Sequence, residues 1–212
     1  MSEKAYQTDK NSSTEDYLNA VRQGKTAFGD GNLLGVPGAN RWHNLIGTNA
    51  AIAIGSRLHG HKCDIYVNGM CVRMKNDRYC YPDVAIVNGD PQFDDQNLDI
   101  LLNPTVIVEV FSGKTNTSDK TEKLENYLAM DSIRECLLVK EDEMRVEHYA
   151  KQNAKQWVYR IYNERDDVIS IEAVNCKVSL QEIYASFKFD KQTIEKPAAA
   201  APANTATTQK AA

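Results

Sequence analysis

Short apolar runs dominate the chain after residue 62, and they predict β-strands. The runs cover residues 63–67, 70–74, 82–87, 105–111, 135–140, 145–149, 156–162 and 168–171. Runs of this length, rich in β-branched and aromatic side chains, are typical of strands. Asn68 and Gly69 separate the first two runs, and this dipeptide is a strong signal for a two-residue hairpin turn.

Helical patterns surround these strands. Residues 40–58 predict a long helix whose alanine-rich interior suits close packing on a sheet. Residues 117–130 predict a second helix, capped by Thr117 or Ser118, and 180–184 a final helical turn. An additional helix is expected from Thr14, and residues 31–36 are expected to be extended. The order of these elements predicts an α/β (α+β) fold with a mixed sheet flanked by helices, because helices come first and are followed by strands, one helix and more strands.

The chain of 212 residues is expected to form one domain. Residues 1–12 are polar and predict a flexible amino terminus, so the domain is placed at residues 13–189. Residues 190–212 are rich in Ala, Pro and Thr, offer no apolar face to bury, and predict a disordered tail.

The net charge is −4 and the pI about 5.6. Proteins that bind nucleic acid mainly by neutralising phosphates carry a basic excess, so any such contact here has to be local or helped by a cation. The five cysteines form no CxxC pair and predict reduced thiols. Without an apolar leader or a run of roughly 18 apolar residues, we expect a soluble, cytoplasmic protein with no membrane segment.

Two acidic residues at predicted strands are the main candidates for chemistry. Glu109 interrupts the apolar run Val-Ile-Val-Glu-Val-Phe, and Asp83 begins another run after Pro82. Carboxylates are rare in buried strands unless they are paired, hydrogen-bonded or bound to a metal. Oxygen ligands of this kind suit Mg²⁺ or Mn²⁺. The alternative is that Glu109 pairs with a basic neighbour and Asp83 caps a loop.

The helix predicted after Glu109 offers further candidates. Asp119, Lys123 and Tyr127 are four residues apart and share one helix face. A lysine there would reach the strand carboxylates, orient a water or hold a phosphate. The alternative is an ordinary Asp–Lys pair on a solvated face.

Several motifs occur in an order and spacing that resemble a known family. They are Tyr81-Pro-Asp-Val, Ile107-Val-Glu-Val-Phe-Ser, Asp119 with Glu122-Lys123 and Tyr127, Arg134-Glu-Cys-Leu-Leu-Val, Arg145-Val-Glu-His-Tyr and Leu180-Gln-Glu-Ile-Tyr. Together they resemble the Uma-two family of restriction-endonuclease-like proteins, which belongs to the PD-(D/E)XK nuclease superfamily. The resemblance extends from Thr14 to about Tyr184.

The resemblance implies roles for individual residues. Asp83 and Glu109 would be ligands of Mg²⁺ or Mn²⁺, and Lys123 the catalytic lysine. Many members of the superfamily carry that lysine two residues after the second acid, where this chain has Phe111. His43 matches a family position near the pocket. Beyond the resemblance, we expect supporting roles for Asp119, which would orient Lys123, for Ser112, whose hydroxyl would lie near the metal, and for Tyr127. A structural hydrogen bond is the alternative for His43.

The chain departs from the family pattern at two usually acidic positions. Ala27 replaces an early glutamate, and Gly69 replaces an aspartate before the 70–74 strand. Both losses make the site less negative and are expected to weaken metal binding.

Two other groups have a second interpretation. His59, His61 and Cys63 have zinc-binding side chains but no further ligand pair, so a polar loop is the preferred interpretation. The aromatic residues Tyr79, Tyr81, Trp157, Tyr159 and Tyr162 either stack on bases or are half-buried sheet residues, and the second interpretation is preferred.

The leading hypothesis is a metal-dependent endonuclease that hydrolyses DNA phosphodiester bonds. Many nucleases of the superfamily act as dimers, so the resemblance also implies a homodimer. The alternative is a nuclease fold that has lost catalysis and binds nucleic acid or a protein partner. Ala27 and Gly69 favour this alternative.

Overall fold

We describe the protein from a computed structural model. It covers the backbone of residues 26–29 and 32–35, and then residues 41–75, 78–94, 98–112, 117–185 and 187, with only the backbone of 117–119. The predicted helix at Thr14, the flexible segment 1–12 and the tail 190–212 lie outside these residues. The 13–189 domain boundaries therefore stay a prediction.

A six-stranded mixed sheet forms the centre of the fold. Its strands are β3 (Cys63–Val67), β6 (Val84–Asn88), β8 (Val106–Phe111), β9 (Glu135–Lys140), β10 (Val146–Asn153) and β11 (Gln156–Tyr162). They lie in the order β11-β10-β9-β8-β6-β3, and β8 and β9 are the parallel pair in this sheet. A parallel pair needs a crossover connection, and the helix Thr117–Leu128 provides it. This helix is thereby placed against the strand that contains Glu109.

Two further sheets contain the other strands in the described part of the chain. The five-stranded sheet contains β1 (Thr26–Gly29), β2 (Asn32–Gly35), β4 (Cys71–Arg73), β5 (Tyr79–Cys80) and β7 (Ile100–Leu101), in the order β2-β1-β5-β4-β7. The two-stranded sheet contains β12 (Val168–Ile171) and β13 (Cys176–Ser179). The predicted α/β class is confirmed, and the strands of the described residues are divided among three sheets.

The hairpin predicted at Asn68 and Gly69 is wrong. β3 pairs with β6, whereas β4 pairs with β5 and β7. A turn does occur, with Asn68 in the left-handed region at φ 49°, but it leads the chain from one sheet to the other. The Asn68 N–H donates to the Asp83 carbonyl at 3.0 Å, so the turn is anchored beside β6.

Helices cover both faces of the six-stranded sheet, and the alternation of side chains along β8 divides the core. Helix α1 (Arg41–Leu58) packs on the face that contains Val106, Val108 and Val110. Helix α2 (Thr117–Leu128) packs on the other face with Ile107. Side chains alternate between faces along a strand, so Glu109 shares the α2 face with Ile107. This assignment locates the candidate site.

The carboxyl-terminal end of the domain returns to the first face. The short helix α3 (Leu180–Ile183) follows β13, and its capping box joins Ser179 and Glu182. Tyr184 then lies between α3 and the β9–β10 turn. Its hydroxyl is 2.8 Å from the carbonyl oxygens of Lys140 and Arg145, and it accepts a hydrogen bond from the Arg145 N–H at 3.1 Å.

We predict that Tyr184→Phe lowers the free energy of unfolding by about 1–3 kcal/mol, because partly buried backbone groups of Lys140 and Arg145 lose their hydrogen bonds. The loss is measured by urea denaturation. Tyr162→Phe is the matched control, since its half-buried ring makes no recorded side-chain hydrogen bond within the described chain. Equal stability of the two variants would contradict the assignment.

Candidate active site

The two candidate carboxylates lie together because β6 and β8 are paired. Val84 is opposite Val108 in the antiparallel register, and one further step places Asp83 beside Glu109. Asp83 Oδ2 accepts a hydrogen bond from the Val110 N–H at 2.8 Å. This bond fixes the Asp83 carboxylate at the end of β6, next to the strand that contains Glu109.

Glu109 is a buried carboxylate with its hydrogen bonds on one oxygen. Its exposed fraction is 8%. Lys123 Nζ lies 2.7 Å from Oε1, and the Tyr127 hydroxyl donates to the same oxygen at 2.5 Å. Burial raises the pKa of Glu109, and the nearby Asp83 charge adds to this, while Lys123 and Tyr127 act in the opposite direction.

Helix α2 provides both partners of Glu109. Lys123 and Tyr127 are one turn apart, so they project from the same helix face. Burial acts to lower the pKa of Lys123, but the neighbouring Glu109 outweighs it, and the pKa is raised. Lys123 therefore stays an ammonium, with three donors and no acceptor. It can hold a phosphate oxygen or orient a water, but it cannot accept a proton.

Tyr127 and Cys80 form the buried wall behind Glu109. Tyr127 is fully buried, and its hydroxyl lies 3.2 Å from Cys80 Sγ. Burial raises the pKa of Tyr127, and it raises the pKa of the Cys80 thiol to about 12. Both groups stay protonated at neutral pH, so Cys80 is a structural thiol and not a nucleophile.

His43 binds the opposite side of Asp83. Its Nε2 lies 2.7 Å from Asp83 Oδ1, and its Nδ1 is 3.8 Å from Glu141 Oε2. The hydrogen bond to Asp83 raises the pKa of His43, and burial acts against it. His43 thus lies beside the candidate site, where the resemblance placed it.

The arrangement of carboxylate oxygens suits a hard cation. In the described part of the chain, Glu109 Oε2 receives no recorded hydrogen bond, so it is the oxygen open to an ion. Mg²⁺ commonly uses one or two carboxylates and keeps several waters. No group of three or more His, Cys, Asp or Glu side chains suitable for a metal occurs among the described residues. The zinc interpretation of His59, His61 and Cys63 is therefore not supported.

A cavity of about 140 Å³ opens beside Glu109. It lies between α2 and strands β8 and β9, and it is lined by Glu109, Val110, Phe111, Lys120, Lys123, Leu124, Tyr127 and Leu138. Two ammonium groups thus face a space the size of a few water molecules. Lys120 lies one turn before Lys123 on the same helix.

Glu147 is a residue that the sequence analysis missed. It is 7% exposed on β10, and it pairs with Lys120 at 3.0 Å and with Arg145 at 3.4 Å. Glu147 belongs to the motif Arg145-Val-Glu-His-Tyr. Its position between Val146 and His148, whose side chains point to the other face of the strand, is the signal that could have identified it. Only the strand register shows that Glu147 faces α2.

The remaining predicted residues differ in how far the structure describes them. The side chain of Asp119 lies outside the described residues, as does that of Ala27. Ser112 directly follows β8 and is half-buried, and its proposed role near a metal stays a prediction. Among the aromatic residues, Tyr79 is buried, whereas Tyr159 is 47% exposed.

Comparisons with known proteins agree with this architecture. Residues 14–181 match the model of the Uma2 family, described as "Putative restriction endonuclease". The match covers more than half of the chain, which therefore belongs to the Uma2 family.

Two relatives come from Synechocystis sp. (strain ATCC 27184 / PCC 6803 / Kazusa). The protein sll1609 is 29% identical over 154 residues, which are 71% of this chain and 87% of the relative. The protein slr1290 is 24% identical over 180 residues, which are 84% of this chain and 93% of the relative. Both relatives are described as uncharacterized.

A crystal structure from Anabaena variabilis ATCC 29413, described as that of a "putative nuclease belonging to DUF820", has a similar fold. The TM-score is 0.63 at 15% identity, over 76% of this chain and 90% of that chain. The likeness establishes the fold. Among the described residues, no helix has the length and apolar character to span a membrane.

We predict that the pKa of His43 in the metal-free protein lies above 6.5 and falls in Asp83→Asn, because the main cause of the rise is the bond to Asp83. A raised pKa means that the pair stabilises the folded state below about pH 6.5. This contribution is lost as the pH rises through the folded-state pKa.

The measurement is an NMR titration of His43 in excess chelator. Asp64→Asn is the matched control, since Asp64 is an exposed aspartate on β3. An unchanged His43 titration in Asp83→Asn would refute the assignment.

Proposed function

We propose that this protein is a divalent-metal-dependent endonuclease that hydrolyses phosphodiester bonds in DNA. Asp83 and Glu109 would hold Mg²⁺ or Mn²⁺, and Lys123 would act on the substrate phosphate. The observation that supports this proposal most is the buried Glu109 carboxylate, held on Oε1 by Lys123 and Tyr127 with Oε2 open to an ion. The membership of the Uma2 family, whose description names a restriction endonuclease, supports the same reaction class.

The surroundings of the carboxylates suit the handling of a negatively charged ester. A bound divalent ion would polarise the phosphodiester and lower the pKa of a water. Tyr127 and Lys123 keep Glu109 in one orientation, and Val110 and His43 do the same for Asp83. Because these side chains are already held in position, the site does not have to reorganise during the reaction.

Lys123 has the clearest role among the chain's own residues. Its raised pKa keeps the ammonium charged, and the side chain remains 39% exposed at the cavity. A charged donor at this position would bind a non-bridging phosphate oxygen and orient the attacking water.

A binding module without catalysis is the second candidate. It is favoured by Ala27 and Gly69, which stand at usually acidic positions of the family pattern. Among the described residues, no group of three or more metal-ligating side chains adds to Asp83 and Glu109.

We predict that the purified protein cleaves supercoiled plasmid or circular single-stranded DNA in Mg²⁺ or Mn²⁺. Asp83→Ala and Glu109→Gln should abolish cleavage, because each removes a ligand charge. Lys123→Ala should slow cleavage by roughly 10²–10³-fold, as the loss of one preorganised donor commonly does.

Matched controls are Glu125→Gln, which alters an exposed acid of the same helix, and Lys177→Ala on β13. Both should cleave like the unchanged protein. Cleavage that survives Asp83→Ala would point to a contaminating enzyme and exclude the proposed site. A folded protein that never cleaves would favour the binding module.

A further prediction separates a weakened enzyme from a binding module. In a weakened enzyme, Ala27→Glu should restore ligand charge and raise Mn²⁺ affinity roughly tenfold or more, with faster cleavage. Mn²⁺ binding is measured by calorimetry or electron paramagnetic resonance, with Ala27→Gln as the uncharged control of equal size. Equal Mn²⁺ affinity in both variants would count against a metal role for this position.

A further inference from the structure

One row of side chains crosses the α2 face of the large sheet. Glu109 lies opposite Leu138, Leu138 opposite Glu147, and Glu147 opposite Ile161. Residues that are opposite each other point to the same face, and neighbouring strands are about 4.8 Å apart. Glu147 is therefore about 10 Å from Glu109 along the sheet, within the length of a nucleotide or two.

The second buried carboxylate repeats the arrangement of the first. Helix α2 contributes Lys123 to Glu109 and, one turn earlier, Lys120 to Glu147. Arg145 also contacts Glu147, so this cluster has two cations and one carboxylate and a net positive charge. Lys120 lines the cavity beside Glu109 and lies 4.0 Å from the centre of the Phe111 ring. The two clusters are thus continuous.

An aromatic surface adjoins the second cluster. Tyr149 and Tyr159 are cross-strand neighbours with ring centroids 4.9 Å apart. Tyr159 is 47% exposed on the edge strand β11, and its hydroxyl lies 3.5 Å from Arg145. Trp157 continues the surface on the same face, where Lys151 lies 5.5 Å from its ring centroid. An exposed ring beside cations, such as that of Tyr159, is suited to stacking on a base.

We propose that Lys120, Arg145, Glu147 and Tyr159 form a subsite for an unpaired nucleotide that flanks the scissile phosphodiester. Lys120 and Arg145 bind its phosphate, Glu147 positions both cations, and Tyr159 stacks on its base. The subsite rests on the proposed function, because it assigns a substrate class to that site: single-stranded DNA or an unpaired segment of a duplex.

Two features favour an unpaired strand over an intact duplex. Stacking on an exposed ring requires a base whose face is free, and the bases of a duplex cover one another. Affinity for a duplex comes largely from neutralising many phosphates, whereas this chain has 25 basic and 29 acidic residues. A short cationic cluster with a stacking ring is enough for a single strand.

The test is fluorescence anisotropy with labelled oligothymidine and a duplex of the same length, in chelator so that no cleavage occurs. The unchanged protein should bind the single strand more tightly. Tyr159→Ala should weaken this binding roughly 5–150-fold, which corresponds to the 1–3 kcal/mol of one stacked base. Tyr159→Phe keeps the ring and should bind normally.

Salt dependence tests the cations. Lys120→Ala should reduce the slope of log affinity against log salt by about 0.7, the value for one phosphate contact on a single strand. Arg160→Ala is the matched control, since Arg160 is exposed on β11 and lies opposite His148 in the strand register, on the other face of the sheet. It should leave affinity for oligothymidine close to that of the unchanged protein.

Three results would overturn the subsite: no binding of oligothymidine, equal affinity for the duplex, or Tyr159→Ala behaving like Arg160→Ala. Cleavage assays separate this failure from failure of the proposed function. If no form cleaves DNA but Tyr159→Ala weakens binding, these residues bind a single strand and the nuclease proposal alone fails. If the protein cleaves DNA and Tyr159→Ala changes neither binding nor cleavage, the subsite alone fails.

Discussion

The contact between the buried Glu109 carboxylate and the Lys123 ammonium is the interaction on which the site depends. An ionised carboxylate taken out of water is costly unless a cation and hydrogen bonds compensate. Here Lys123 and Tyr127 meet that need from helix α2, which also forms the crossover between the parallel strands β8 and β9. The ion pair and the topology therefore support each other, since the crossover brings the helix to the strand that holds the acid.

The same helix organises a wider polar surface. Lys120 pairs with Glu147 two strands away from Glu109, and Arg145 joins it. Lys120 and Lys123, one turn apart along α2, thus contact acids on β10 and β8. The net charge of the whole protein is −4. An acidic protein can bind an anionic polymer when its cations are concentrated where the polymer lies. The exposed ring of Tyr159 extends this surface to the edge of the sheet.

Much of the fold was predictable because the signals are local. The helix at Arg41–Leu58 and the strands at Glu135–Lys140 and Gln156–Tyr162 follow from runs of apolar residues. The pairing of strands was harder to predict, because the alternation of apolar residues does not specify which strand is adjacent. Asn68 and Gly69 indicated a change of chain direction correctly but a hairpin wrongly, and β7 lies outside the runs that predicted strands.

The sequence by itself determined that acids at 83 and 109 and a lysine at 123 are unusual enough to define a candidate site. An acid within an apolar strand and a helix face with period four are visible without coordinates. Only the tertiary structure decided that His43 contacts Asp83, and that Glu147 lies in one row with Glu109. Those contacts depend on strand register and helix placement, which arise from packing between segments that are distant along the chain.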